Sequence, residues 1–272
     1  MRQMKKGIEL IREIDAEKPG FGELTFWWIG QLSYIVKTQN SVIYLDPFLS
    51  PLEGRQVQPL LEPGQVTNAD IITGSHDHAD HIDRLSLPAI MEASPKSVLI
   101  VPNPTASTVE EMKIDGSRVR LADADQAIEE GGVKITGIKA SHEFFDFDPK
   151  RGFPYLGYVI ETDGVVIYHS GDTCVYDGLG VRLKAWNLTV AFLPINGRDG
   201  KRLRASCIGN MTYQEAVDLA GSVRPKLTVP GHYEMFAGNT EDPLLFADYL
   251  DAKYPGLKCW IGGHGEAVRV KA

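Results

Sequence analysis

Four times along this chain an apolar, β-branched run ends in a histidine or an aspartate. "ADIITGS" runs into His76, "VKITGIKAS" into His142, "VVIYHSG" into Asp172 and "KLTVPG" into His232. Runs of this kind predict strands, and strands assemble side by side in sheets. A residue just beyond a buried strand sits on a loop at the sheet's edge, where side chains from several strands can meet. The repetition therefore predicts a fold in which four strand ends deliver His and Asp to one place.

The first of these ends is the densest. Three histidines and two aspartates fall between His76 and His81. His76 and His78 are two apart, so extended backbone puts both on one side. Asp80 and His81 then enter the following turn. Imidazole nitrogens with a carboxylate suit a borderline divalent metal such as zinc, and also manganese or iron. The cluster can hold one metal alone, or share two with His142, Asp172 and His232. The bland alternative, a polar loop whose aspartates cap a helix, leaves the ordered partners unexplained.

Other segments outline the rest. Between Leu24 and Ser50 two aromatic-rich runs flank "KTQNS", which predicts a hairpin ending at Asp46-Pro47. Residues 48–66, rich in Pro, Gly and Gln, read as a surface loop. Helices are expected from Ile82 to about Ala93, over "STVEEMK" with Ser107 as N-cap, over "MTYQEAVDLAGS" with Thr212 as N-cap and Glu215 completing a capping box, and over "DPLLFADYLDAKY" with Pro243 in its first turn. "SVLIVPN", "YLGYVIET", "LTVAFLPIN", "LKCWIGG" and "EAVRV" read as further strands. Strands crowd the middle and helices lie near both ends, which predicts an α+β chain of packed sheets with helices outside. Met4, Ile8, Ile11 and Ile14 fall at helical spacing. Residues 1–20 are thus expected to form a helix that docks on the body or on another subunit, ahead of one domain over 21–272.

The chain's 272 residues carry a net charge of −8 and no basic block, which argues against nucleic acid as a partner. No apolar run approaches the ~20 residues of a membrane span. The opening "MRQMKKGIELIREID" lacks the apolar core of a secretory signal. Cys174, Cys207 and Cys259 are odd in number and unpaired in spacing. A cytoplasmic protein is expected.

"HDHADH", with Asp46 before it and His142, Asp172 and His232 after it in that order, resembles the metallo-β-lactamase superfamily from roughly Leu24 to the C-terminus. "WIGQLSYIVKT", "SGDT", "LPINGRDG", "GNMTYQEA" and "GHYEMFAGNTEDP" look like the branch that contains the L-ascorbate-6-phosphate lactonases. The resemblance implies an αβ/βα four-layer sandwich, two packed mixed sheets with outer helices, and a centre of two divalent ions, zinc or manganese. It implies His76, His78 and His142 on the first ion, Asp80, His81 and His232 on the second, and Asp172 bridging them. Asp46 becomes an acceptor that orients a ligand histidine, and Asp80 and Asp172 stand at the reacting centre. His81 in place of Arg, and Asp172 in place of Cys, separate the chain from relatives that hydrolyse β-lactams. His78 in place of Glu, with no flavin domain, separates it from di-iron redox members.

A metal-bound water has its pKa lowered from ~15.7 to ~7, which makes hydroxide available to attack an ester, lactone or phosphoester. The expected function is hydrolysis of a small anionic metabolite such as a sugar-phosphate lactone, by a chain that can form homo-oligomers. The rivals are a phosphodiesterase or nuclease of the same superfamily and a non-catalytic metal-binding protein. "NGRDGKRLR" offers Arg198 and Arg202 as a phosphate clamp or as a solvated loop. Asn196 and Asn210 flank it and could orient substrate, while Tyr233 either walls the pocket or packs. His169 reads as a structural histidine, His264 as part of a surface turn, and Cys174 as a small buried side chain.

Overall fold

The computed structural model describes residues 5–272, so Met4 lies outside the described residues. The strands are β1 (Glu23–Gly30), β2 (Ser33–Lys37), β3 (Val42–Leu45), β4 (Ile71–Thr73), β5 (Val98–Pro102), β6 (Val119–Ala122), β7 (Ala127–Glu130), β8 (Val133–Lys139), β9 (Leu156–Thr162), β10 (Val165–His169), β11 (Val190–Pro194), β12 (Leu227–Gly231) and β13 (Val268–Lys271). The helices are α1 (Ile8–Ala16), α2 (Leu87–Ala93), α3 (Ala106–Glu111), α4 (Leu179–Leu183), α5 (Gly200–Arg204), α6 (Tyr213–Val223) and α7 (Pro243–Lys253). They build a seven-stranded sheet ordered β13-β1-β2-β3-β4-β5-β6 and a six-stranded sheet ordered β12-β11-β10-β9-β8-β7.

Alternation along β1 explains the layering. Leu24, Phe26 and Trp28 face the core shared by the two sheets. Trp27 and Ile29 face the opposite way, into a second core closed by Leu10, Ile11 and Ile14 of α1 and by Leu87, Ile90 and Met91 of α2. The period of two puts apolar side chains on both faces, so the sheet needs cover on both. The other sheet is covered on its outer face by α6 and α7, which bury Val217, Ala220, Phe246 and Leu250. The result is two mixed sheets between outer helices, as expected.

Both sheets aim strand ends at one edge. β8 and β10 each run antiparallel to β9, so they run the same way, and β11 and β12 continue parallel to β10. His142, Asp172 and His232 follow the C-terminal ends of β8, β10 and β12. β4, parallel to β3 and β5 in the other sheet, ends just before His76.

Several local expectations needed correction. The first aromatic-rich run is itself a hairpin, because Gly30 at φ 108° and Gln31 at φ 53° reverse the chain between β1 and β2. The helix expected from Ile82 begins only at Leu87, since Asp83 Oδ1 accepts from the Leu85 and Ser86 amides and holds that stretch as a turn. Ser107 lies inside α3 rather than capping it. "LKCWIGG" makes only a single bridge, Thr228 to Cys259. β6 and β7 went unread because they are short, charged and half exposed. Thr212 and Glu215 do form the capping box of α6, and α7 starts at Pro243 behind Asp242.

Phe192 is the hinge of the shared core. It stacks on Tyr34 at 3.9 Å between ring centres and meets the edge of Phe26 at 5.3 Å. Phe192→Ala is expected to lower the unfolding free energy by about 3–5 kcal/mol, read from the midpoint and slope of urea denaturation.

Candidate metal centre

The strand ends do meet, and the turns that bring them together are conformationally demanding. Gly171, on the turn out of β10, sits at φ 56°, where an added Cβ would lie 2.6 Å from the Leu156 carbonyl oxygen. At Gly74, on the exit of β4, a Cβ would lie 2.6 Å from Ile82 Cγ1. Three non-glycine residues here also take left-handed backbone: Gln31 (φ 53°), Asp46 (φ 44°) and His232 (φ 62°). Such backbone costs on the order of 1–3 kcal/mol per residue and persists where surrounding contacts hold it.

Seven side chains converge in three overlapping groups: His76, His78 and His142; His76, His81 and Asp172; Asp80, His81 and His232. Asp172 lies among all of them. Its Oδ1 is 3.3 Å from His81 Nε2, and its Oδ2 is 3.1 Å from His232 Nε2 and 3.8 Å from His142 Nε2. Asp80 Oδ2 is 3.6 Å from His81 Nε2 and 3.8 Å from His232 Nε2. His76 Nε2 and His78 Nδ1 are 2.9 Å apart.

The outer nitrogens of three of these histidines are anchored. His81 Nδ1 lies 2.7 Å from Asp46 Oδ2, His76 Nδ1 lies 3.0 Å from Ser75 Oγ, and His142 Nδ1 donates to the Gly209 carbonyl at 3.1 Å. Each anchor turns the other ring nitrogen toward the cluster. His81 Nε2 and Asp172 Oδ1 are nevertheless buried with no hydrogen-bond partner. Buried polar atoms are rarely left so, and a cation between an imidazole lone pair and a carboxylate would satisfy both. The donor set fits divalent metal.

The electrostatics divide the cluster. Burial pushes the pKa of His76, His78 and His142 below the ordinary value, and neighbouring histidines add to the shift. Burial thus favours the neutral form of these rings, the form that metal coordination requires. Burial also pushes His81 down, but the facing carboxylates of Asp172 and Asp80 outweigh it and hold His81 well above the ordinary value. Burial pushes Asp172 up, yet His232 and His81 outweigh it and hold its carboxyl well below the usual range. The facing carboxylates thus favour the protonated form of His81 in the metal-free chain.

The residues singled out for substrate have other engagements here. Arg198 gives both arms of its guanidinium to Glu215, and Arg202 pairs with Asp199 and donates to the Thr240 carbonyl. Asn196 bonds Asn210 and Asn239, and both Asn196 and Asn210 are fully buried. Tyr233 is buried against Trp28, with ring centres 4.7 Å apart. His169 donates to or accepts from nothing in the cluster; its Nε2 meets the Leu32 carbonyl at 2.8 Å. His264 stacks on Trp28 outside the ligand groups. Cys174 is buried beside the Gly209 carbonyl.

Sequence reading missed Gln31, whose Nε2 donates to Asp80 Oδ2 at 2.7 Å and lies 3.2 Å from His232 Nε2. An amide stranded in "WWIGQLSYIV" was the available signal. Asp83 was missed too. It accepts from the amides of Leu49 and Ser50 and so ties the start of the 48–66 loop to the histidine turn.

Residues 42–233 match the family described as Beta-lactamase superfamily domain. A UPF0173 metal-dependent hydrolase of Methanosarcina mazei is 27% identical over 255 residues, spanning 91% of this chain and 99% of that protein. Another of that description, from Caldivirga maquilingensis, is 24% identical across 89% of this chain and 96% of that protein. Igni18, a metallo hydrolase of Ignicoccus hospitalis, superposes with a TM-score of 0.69 at 21% identity, covering 91% of this chain and 98% of that one. CmlA, a diiron β-hydroxylase of Streptomyces venezuelae, superposes with a TM-score of 0.69 at 12% identity, covering 94% of this chain and 55% of that one. At these identities the solved structures share the fold alone, and that fold carries both a hydrolase and a hydroxylase.

The charge pattern has a pH signature in metal-free protein. His81, with a raised folded pKa, stabilises the fold fully below the unfolded value of ~6.5, and that contribution is lost as pH rises through the raised value. His76, His78 and His142, with lowered values, cost stability as pH falls below ~6.5. Chelated protein is expected to melt highest near neutrality and to lose stability on both sides. Metal loading is expected to flatten the alkaline arm. A metal-free melting temperature that climbs steadily from pH 7 to pH 9 would contradict the proton placed on His81.

Proposed function

We propose, on the ground that the chain belongs to the beta-lactamase superfamily, that it is a metal-dependent hydrolase with a centre for two divalent ions, zinc or manganese. The observation that carries this reading is the place of Asp172, within 3.1–3.8 Å of His81, His142 and His232. A carboxylate so placed is suited to bridging. His76, His78 and His142 would hold one ion; Asp80, His81 and His232 would hold the other. When bound, such ions supply a Lewis acid and bring the pKa of a coordinated water from ~15.7 to ~7.

The chain's own residues do the rest. Asp46 and Ser75 fix the rings of His81 and His76, and Gln31 holds Asp80. Asp80, with its side chain 19% exposed against 4% for Asp172, is the more solvent-open of the two carboxylates. The nearby hydroxyl and thiol are committed elsewhere. Ser75 Oγ donates to Asp46, and burial pushes the Cys174 thiol up. These engagements of Ser75 and Cys174 support water as the nucleophile.

The substrate class we favour is a lactone or ester in a small anionic molecule, such as a sugar-phosphate lactone. The lactonase-like motifs support it, and relatives named metal-dependent hydrolases support the reaction type. Arg198 and Arg202 can reach a phosphate only by giving up Glu215 and Asp199, so any phosphate contact there involves an exchange of partners.

Protein purified without chelator is expected to hold about two metals per chain, falling to one or none in Asp172→Ala. Hydrolysis of phosphorylated lactones should fall with metal content and return on reloading. One tightly held metal, untouched by the substitution and needed for folding, would favour a structural ion instead. Asp46→Asn, which leaves His81 without its anionic partner, is expected to weaken metal binding about 10- to 100-fold in competition with a fluorescent chelator.

A further inference from the structure

β12 has two ends, and the metal cluster uses only one. At the other end, Leu227 lines two adjoining clefts of about 510 Å³ and about 600 Å³. They share Leu227, Leu257, Lys258 and Arg269, and so form one continuous hollow. It lies where β12 and β13, the edge strands of the two sheets, leave the sandwich open. His232 follows β12 five residues after Leu227, which separates this hollow from the cluster by about 16 Å at ~3.3 Å per strand residue.

The first cleft is lined by Arg224, Lys226, Lys258, Arg269 and Lys271 and by no acidic residue, on a chain whose net charge is −8. Arg269 and Lys271 are paired, each at 2.6 Å, with Glu17 and Glu23. Among the described residues, no carboxylate lies within ion-pair range of Arg224, Lys226 or Lys258. The fold gathers these three cations. Arg224 closes α6 in left-handed backbone and turns the chain into β12, which carries Lys226 to the strand's start. Lys258 and Trp260 are stitched beside β12 by Thr228, whose amide donates to the Lys258 carbonyl and whose carbonyl accepts from the Trp260 amide. The second cleft has Trp260, Leu257, Cys259 and Val268 in its wall, with Asp248 and Asp251 on the same lining.

Three exposed cations on the lining of one cleft raise the local positive potential and draw anions. Guanidinium and ammonium groups without carboxylate partners suit phosphate, and a hollow of this size with an aromatic wall suits the body of a small molecule. We propose that this double cleft is a second binding site, separate from the metal centre, for a phosphorylated small molecule with an aromatic or apolar body. The phosphate lies on Arg224, Lys226 and Lys258, and the body lies against Trp260 and Leu257.

The test titrates the metal-loaded full chain with ADP, with inorganic phosphate and adenosine as separate arms, followed by calorimetry and tryptophan fluorescence. ADP is expected to bind more tightly than either fragment and to weaken as salt rises. Lys226→Gln with Lys258→Gln is expected to weaken it at least tenfold while melting temperature and metal content hold. Asp172→Ala is expected to leave it unchanged, which separates this site from the catalytic reading. Three results would overturn the proposal. One is no ADP binding at millimolar concentration. Another is binding that survives the double substitution or disappears in Asp172→Ala. The third is a dimer that the double substitution splits, which would put a second copy of the chain in the cleft.

Discussion

A buried carboxylate facing a buried imidazole holds the centre together. Asp46 and His81 meet at 2.7 Å, and neither side chain has any solvent exposure. A charge taken out of water is costly unless paired and hydrogen-bonded, and Asp46 is both, since Ser75 and Thr73 donate to it as well. The contact fixes which nitrogen of His81 faces Asp172. It also locks the end of β3 to the turn after β4, so the sheet edge and the histidine turn cannot move apart. A neutral partner in place of Asp46 would leave Asp172 and Asp80 to raise the proton affinity of His81 but would no longer hold its ring by a charged hydrogen bond.

Around that contact the chain accepts strain. Gln31, Asp46 and His232 all take left-handed backbone, and each directly follows the last residue of a strand. The compensation is packing. The aromatic core of Phe26, Tyr34 and Phe192 and the layered burial of β1 hold the strands rigidly, and rigid strands can impose unfavourable turns on the residues between them. The same parallel run of β10, β11 and β12 that collects ligands at one edge exposes the starts of strands at the other. The basic, aromatic-walled hollow is built there.

Much of the site was legible because metal chemistry restricts residue type and because strands announce their ends. His76, His78, Asp80, His81, His142, Asp172 and His232 each follow an apolar run closely, and the structure brings all of them together. Gln31 was not legible. An amide has no chemistry that demands it, and its importance comes from a turn that places it beside Asp80. The short edge strands β6 and β7 were hidden for a related reason: one face of each meets solvent, so their apolar signal is weak.

Local sequence thus determined most of the strands, the two capped C-terminal helices and the identity of the clustered His and Asp side chains, since each depends on periodicity, capping or residue type within a few residues. Tertiary structure alone decided which arginines were free. Arg198 and Arg202 stand in a basic segment that reads as a phosphate clamp or a solvated loop, and in the fold they pair with Glu215 and Asp199. Arg224, Lys226 and Lys258 lie scattered in the sequence and drew no notice, yet the fold gathers them around one hollow. Charge pairing acts over a few ångströms of space, and distance in space between remote segments exists only once the sheets have packed.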